Sequence, residues 1–260
     1  MIDLNAAVGH WPFVAGWAER VDELAAAMAE AGVTQAHVSA AEAVLAPDPL
    51  TATQRLCDSL AEHERLVPAA VVDPTLRTAE ADLRRVVSNW PVRLVKLYPA
   101  FGGYSAEDDR VAAMVQAAGA EGVLTAVVMR LEDDRNQHRV MRVEPVGADA
   151  VTSLAAKVAP LPLLILNGLK GEVTGLARRA ENLFFDIAFV ESGASLPDLL
   201  QDVPAERLVF GSNAPLFYPQ AVAAKLAGEE VSEVQRQAIA VGNIEGILEV
   251  VRAPERGKSR

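Results

Sequence analysis

Short apolar runs alternate with longer segments of helical period along the whole chain. The runs are rich in aliphatic and β-branched side chains and are bounded by polar or turn-forming residues, which is typical of buried strands. They predict eight strands, at about residues 2–5, 34–40, 66–72, 92–97, 123–129, 162–167, 183–188 and 207–212.

The intervening segments place apolar residues every three or four positions, the spacing of one face of an α-helix. The clearest are residues 20–32, 51–63 and 78–90, each with a Thr or Gly at one end. Eight strand–helix units about thirty residues apart predict an α/β fold, the (β/α)8 TIM barrel. The alternative, an open doubly wound sheet, lacks its usual glycine fingerprint after the first strand.

Composition agrees with one large folded domain. Of the 260 residues, 51% are hydrophobic and 23% are charged, which is enough apolar material for a barrel core. We expect a single barrel domain at residues 1–252 and a flexible tail at 253–260, "APERGKSR". The chain has no basic segment before its first apolar run and no apolar window long enough to span a membrane, so we expect a cytoplasmic protein.

Charge and cysteine content exclude several classes of function. The net charge of −11 argues against nucleic acid or acidic membranes as partners, because both require clustered Lys and Arg. The single cysteine, Cys57, excludes an internal disulfide and has no CxxC partner. We expect a buried structural thiol there.

In a TIM barrel the carboxyl ends of the strands carry the chemistry. The predicted strand ends hold polar residues but no histidine: Asn5, Ser39, Asp73, Lys96, Tyr98, Arg130, Glu132, Asp133, Asn167, Asp186, Ser212 and Asn213. His37 lies inside the second strand, where we expect a hydrogen-bonded core residue.

The chain resembles the amidohydrolase superfamily, in particular the TIM-barrel branch of amidohydrolase-related hydrolases, lactonases and decarboxylases. The resemblance covers almost the whole length. Its motifs are "IDLNAAVG" at the first strand, "VRLVKLYPAFGGYSAED" at the fourth, "LPLLILNGL" at the sixth, "NLFFDIA" at the seventh, "RLVFGSNAP" at the eighth and "VGNIEGIL" in the last helix.

The resemblance implies a divalent metal held by histidines from strands one, five and six and by an aspartate from strand eight. The corresponding positions here look like Asn5, Ala7, Val128 or a neighbour of Val128, Asn167 and Asn213. A neutral amide is a poor ligand for zinc, and alanine and valine offer no ligand atom. We therefore expect a divergent member that lacks the metal and needs no other cofactor.

The segment "MRLEDDRNQHR" after strand five is the richest in ionisable groups. Glu132, Asp133 and His138 are the candidate catalytic proton carriers, and Arg130 and Arg135 are candidate contacts for an anionic substrate group. The alternative for this segment is a solvated, salt-bridged loop.

The remaining candidates are predicted to contact substrate. Lys96 follows an apolar run on strand four and points the same way as Tyr98, so it either contacts substrate or pairs with a carboxylate; a Schiff base is a further option. His10 belongs to the first loop and either closes over the pocket or packs. The amides Asn5, Asn167 and Asn213 suit a carbonyl or hydroxyl substrate, or they fill the space of a lost metal, and Asp186 either orients them or pairs with Lys96.

These residues favour a metal-independent enzyme, a hydrolase or a lyase or isomerase, acting on a small polar substrate that carries a carboxylate. The alternative is a catalytically silent barrel that pairs with a metal-bearing relative, and a homo-oligomer is also possible. A closed polar pocket in which Lys96, Glu132 and His138 converge would favour the enzyme, and a collapsed apolar mouth would favour the partner role.

Overall fold

A computed structural model describes residues 1–14, 18–133, 135, 137–191, 195–228 and 230–252. Eight parallel strands pair in sequence order: β1 (Ile2–Val8), β2 (Gln35–Ala40), β3 (Leu66–Val71), β4 (Leu94–Leu97), β5 (Leu124–Val128), β6 (Leu163–Leu166), β7 (Leu183–Asp186) and β8 (Leu208–Val209). Hydrogen bonds between β1 and the segment after β8 close the barrel. The Leu4 N–H donates to the Phe210 carbonyl, and the Ala7 N–H donates to the Ala214 carbonyl. The predicted TIM barrel is confirmed.

Helices surround the strands. They are α1 (Val21–Glu30), α2 (Pro49–Ser59), α3 (Ala79–Asn89), α4 (Pro99–Gly102), α5 (Asp109–Ala120), α6 (Ala148–Val158), α7 (Lys170–Ala177), α8 (Ser195–Asp202), α9 (Pro219–Leu226), α10 (Glu233–Gln237) and α11 (Asn243–Arg252), with a π-helical turn at Ala238–Gly242. No helix among the described residues is long and apolar enough to cross a membrane. The predicted tail, residues 253–260, lies outside the described residues.

The first strand extends further than its sequence predicts. We expected an end near residue 5, but Ala6, Ala7 and Val8 continue the pairing with β2. The reason is that these three small apolar side chains are buried and carry on the strand ladder without a turn signal. The register shifts between Asp3 and Ala6. Asn5 therefore lies inside the strand, at this irregularity, rather than in the following loop.

Candidate functional site

Four polar side chains meet inside the barrel, at the ends of β6, β7 and β8 and in the middle of β1. The Asn5 amide donates to Asn167 Oδ1 at 2.6 Å and to Asp186 Oδ2 at 2.8 Å. The Asn167 backbone N–H donates to Asp186 Oδ1 at 2.8 Å, and its side-chain amide donates to Asn213 Oδ1 at 3.1 Å. Each of these residues is at most 4% exposed. The structure thus brings together all three amides predicted from the sequence.

Two of these amides depend on an unusual backbone. Asn167 and Asn213, just after β6 and β8, have φ angles of 61° and 56°. This left-handed region is costly for most side chains but tolerated by asparagine. Asn167 and Asn213 also donate to the backbone carbonyls of Arg130 and Leu131, at 2.7 and 3.1 Å. The turns after β6 and β8 therefore attach the loop after β5 to the barrel interior.

The surroundings of Asp186 bring the pKa of its carboxyl group close to 7. Burial raises its pKa from 3.8 to about 7, against the hydrogen bonds from the Asn167 N–H and the Asn5 amide. The residue is fully buried, and Gly211 passes so close that a Cβ there would lie 2.8 Å from the Asp186 Cβ. Asp186 can therefore exchange a proton near physiological pH.

Lys96 lies in the same interior, on β4, and is 1% exposed. Its ammonium donates to the Ala6 carbonyl at 2.9 Å and to Ser39 Oγ at 3.3 Å. Burial lowers the pKa of Lys96 to about 8, although the charges of Asp3 and Asp186 oppose this. Among the described residues it forms no salt bridge, so the expected pairing with Asp186 is electrostatic and not a direct contact. The hydroxyl of Tyr98 hydrogen-bonds with Ser39.

Two further ionisable residues lie buried nearby. Asp3 Oδ1 accepts the N–H groups of Asn5 and Ser212 at 2.9 and 3.0 Å, while burial raises the pKa of Asp3. His37 is 2% exposed, and neither ring nitrogen has a hydrogen-bond partner among the described residues. The expectation of a hydrogen-bonded His37 was wrong, because no donor or acceptor on the neighbouring strands reaches its ring.

Aromatic side chains of the first loop lie over the mouth of the barrel. The Trp11 indole donates to Glu132 Oε1 at 2.5 Å, and these residues are 2% and 7% exposed. The Trp11 ring meets Phe13 and Phe101 edge-on, at centroid distances of 5.6 and 5.8 Å. Glu132 is thus a buried carboxyl group at the mouth, held by an indole that the sequence analysis did not include in the site.

Arg130, predicted to grip an anionic substrate group, is instead occupied by a protein carboxylate. Its guanidinium makes two 2.6 Å hydrogen bonds to Glu172 on α7 and a third, of 2.9 Å, to the Asn167 carbonyl. Arg130 is 4% exposed, so this pair stabilises the turn after β6. Glu172 carried no sequence signal, since it is one of many helical glutamates.

The other candidates of the first and fifth loops lie nearer the solvent. Asp133 pairs with exposed Arg135 at 2.5 Å, and His10 pairs with Glu19 at 3.1 Å. His138 is exposed, with its ring 5.8 Å from Phe13. The structure therefore does not bring His138 together with Lys96. Residues 134 and 136 of this loop lie outside the described residues.

The donor set in the barrel interior does not suit a transition metal. Asn5, Asn167 and Asn213 present neutral amides that are already bonded to one another, and among the four side chains that meet here Asp186 alone offers a carboxylate. The described residues contain no group of three or more His, Cys, Asp or Glu side chains that could hold a metal ion. Zinc requires imidazole, thiolate or carboxylate ligands, so these residues do not fit the metal that the resemblance implies.

Two cavities lie at opposite ends of the barrel. One, of about 200 Å³, lies at the carboxyl ends of β2, β3 and β4 and includes Asp73, Tyr98, Phe101 and Tyr104 in its wall. Tyr98 connects this cavity to Ser39 and hence to Lys96. A larger groove of about 840 Å³ lies at the amino ends of β6–β8 against α6 and α11.

Comparisons with known proteins agree with this architecture. The family model described as Amidohydrolase matches residues 7–249. Similar structures include 5-carboxyvanillate decarboxylase from Sphingomonas paucimobilis (14% identity, 95% of this chain and 98% of that one, TM-score 0.74). They also include 2,6-dihydroxybenzoate decarboxylase from Rhizobium (16%, 96% and 98%, 0.69) and dihydroxybenzoic acid decarboxylase from Polaromonas with bound manganese (14%, 98% and 98%, 0.68). A search of curated proteins by sequence gave no significant match.

Proposed function

Because the chain belongs to the amidohydrolase family, we propose that it is an enzyme that decarboxylates a small carboxylate by proton transfer, without a metal. The observation that carries the proposal is the pair Lys96 and Asp186. Both are buried at the catalytic end of the barrel, and their pKa values are about 8 and about 7. They contact neighbouring residues of β1, since Lys96 binds the Ala6 carbonyl and Asp186 accepts from the Asn5 amide.

These groups suit a decarboxylation because that reaction requires a proton donor and no activated water. The bond between the carboxylate and its carbon breaks, carbon dioxide leaves, and the electron pair stays on the carbon. The Lys96 ammonium supplies the proton that this carbon takes up, by way of the hydroxyls of Ser39 and Tyr98. Lys96, left neutral, recovers a proton from water between turnovers. Decarboxylases of aromatic acids that have a similar fold support the choice of reaction.

The proposal involves no metal because the interior amides do not suit one. Asn5, Asn167 and Asn213 instead hold Asp186 in place. They present no imidazole or thiolate, and none of them can accept a proton from water at neutral pH. Their role in the proposal is to orient the Asp186 carboxyl group. No step passes through a metal-bound water.

The loop after β5 supplies the second proton carrier in this proposal. Glu132 is buried at the mouth and bound to the Trp11 indole, which places its carboxyl beside the route into the barrel. Asp133 and His138 remain predictions as proton carriers, at a distance from Lys96 in this structure. Arg135 and His10 remain predictions as substrate contacts.

The test is turnover of a panel of benzoates and short aliphatic carboxylates in D2O, followed by NMR for loss of the carboxyl carbon and for deuterium at the same position. Lys96→Met should lower turnover by about 10²–10⁴-fold with the fold intact. Lys170→Met is the matched control, since Lys170 forms an exposed ion pair with Asp198. In the parent, turnover should fall as the pH rises through about 8, because Lys96 must be charged to act as the acid. Equal turnover in parent and Lys96→Met would refute the proposal.

A catalytically silent barrel is the second candidate, and the closed interior favours it. The amides satisfy one another, and Trp11 is 2% exposed over the mouth. On this alternative no carboxylate of the panel is consumed. The chain would then shift to larger assemblies when mixed with a metal-bearing relative, which size-exclusion chromatography with light scattering would detect.

A further inference from the structure

The cavity of about 200 Å³ at the carboxyl ends of β2–β4 is lined by aromatic side chains together with a carboxylate. Three aromatic side chains, Tyr98, Phe101 and Tyr104, and one carboxylate, Asp73, form part of its wall. We call these four residues the cation cage. Small apolar residues of the segment after β2, including Ala43 and Ala46, complete the wall.

Asp73 has no cationic partner within the part of the chain that the structure describes. Its Oδ1 accepts the Thr75 N–H at 2.8 Å, which fixes the side chain in a tight turn. Arg110 is close enough to be influenced by its charge, but three hydrogen bonds of 2.6 to 3.2 Å hold that guanidinium on Asp108. No cationic side chain among the described residues therefore neutralises the charge of Asp73, and this charge can attract a cationic ligand.

The aromatic members of the cage remain neutral. Burial raises the pKa of Tyr98 to about 12. Burial also raises the pKa of Tyr104, and the charge of Asp73 raises it further. The Tyr104 hydroxyl is buried next to the backbone of Tyr98. The Phe101 ring meets the Trp11 ring edge-on, at a centroid distance of 5.8 Å. Neutral rings attract cations through their faces, and a carboxylate strengthens that attraction.

We propose that the cation cage binds a small organic cation, an ammonium group attached to a short alkyl chain or to a single ring. A cavity of about 150 Å³ accommodates benzene, so this one accommodates a ring with one short substituent. Carboxylates and phosphates are disfavoured by Asp73. The inference rests on the proposed function in one respect. A substrate with both groups would place its ammonium in the cage and its reacting carboxylate toward Tyr98 and Ser39.

The experiment measures binding by calorimetry on the full chain, without turnover, with three ligands of similar size: benzylammonium, benzyl alcohol and benzoate. Benzylammonium should bind at least about tenfold more tightly than benzyl alcohol, and benzoate should not displace benzylammonium from the cage. Asp73→Asn should weaken benzylammonium by about tenfold or more, which is about 1.4 kcal/mol. The asparagine oxygen can still accept the Thr75 N–H, so the turn is preserved. Asp58→Asn, which removes an equal charge from exposed α2, should leave the affinity unchanged.

Two cavity-filling variants locate the site. Ala46→Phe should abolish benzylammonium binding, whereas Ala156→Phe, in the groove at the opposite face, should not change it. Equal affinity for all three ligands, an unchanged affinity in Asp73→Asn, or a loss in Ala156→Phe alone would overturn the inference. Its failure is distinguishable from that of the proposed function. Turnover that depends on Lys96 without ammonium binding refutes only the cage, and ammonium binding without turnover of any carboxylate refutes only the enzyme.

Discussion

His37→Leu should remove a distinct acid-dependent loss of stability. The imidazole is 2% exposed, and burial, aided by the charge of Lys96, lowers the pKa of His37 from 6.5 to about 4. The unfolded chain therefore takes up a proton near pH 6.5, while the folded chain takes it up only near pH 4. The stability that comes from keeping this ring neutral is complete above pH 6.5 and is lost as the pH falls toward 4.

The magnitude follows from the two pKa values. At about 1.4 kcal/mol per pH unit, the difference corresponds to roughly 3 kcal/mol between pH 7 and pH 4. At pH 7 the substitution breaks no hydrogen bond, because both ring nitrogens lack partners among the described residues. Leucine should thus leave the free energy of unfolding within about 1 kcal/mol of the parent, or raise it.

The assay is urea unfolding of parent and variant at pH 7.5, 6.0, 5.0 and 4.0. Carboxylates titrate in the same range, so the informative quantity is the difference between the two proteins at each pH. This difference should move in favour of the variant by roughly 3 kcal/mol as the pH falls from 7 to 4. Parallel curves for parent and His37→Leu would refute the reasoning.

Four more predictions concern the site. Glu132→Gln should keep the fold and lower turnover by about 10²–10⁴-fold in the NMR assay, and unchanged turnover would remove this residue from the proposal. Glu172→Gln should cost roughly 2–3 kcal/mol in urea unfolding, because buried Arg130 loses its counter-ion; a loss below about 0.5 kcal/mol would contradict this. Protein purified without chelator should contain well under one equivalent of zinc, manganese or iron by elemental analysis. Asn5→His combined with Ala7→His should not create zinc-dependent ester hydrolysis, since half a site lacks ligands and a proton acceptor.

The sequence predicted the barrel because each strand and helix carries its own local period. It also predicted that Asn167 and Asn213 lie close together, since barrel strand ends converge whatever the loops do, although Asn5 joins them from the middle of β1 and not from its end. The sequence did not predict the contacts that the loops make. The partner of Arg130 is Glu172, separated by 42 residues and marked by no pattern. The exposure of His138 depends on the path of its loop, which charge composition does not determine.

The hydrogen bonds among the interior amides all run in one direction. Asn5 donates to Asn167, Asn167 donates to Asn213, and Asn213 donates to the Leu131 carbonyl. The row cannot reverse, because the amide groups of Asn167 and Asn213 also face the Arg130 and Leu131 carbonyls, which can only accept. At the other end, the Asp186 carboxylate accepts from the Asn5 amide and fixes the row in the same sense. Two backbone carbonyls of the loop after β5 and one carboxylate of β7 thus impose a single polarity on contacts that reach across the barrel from β1.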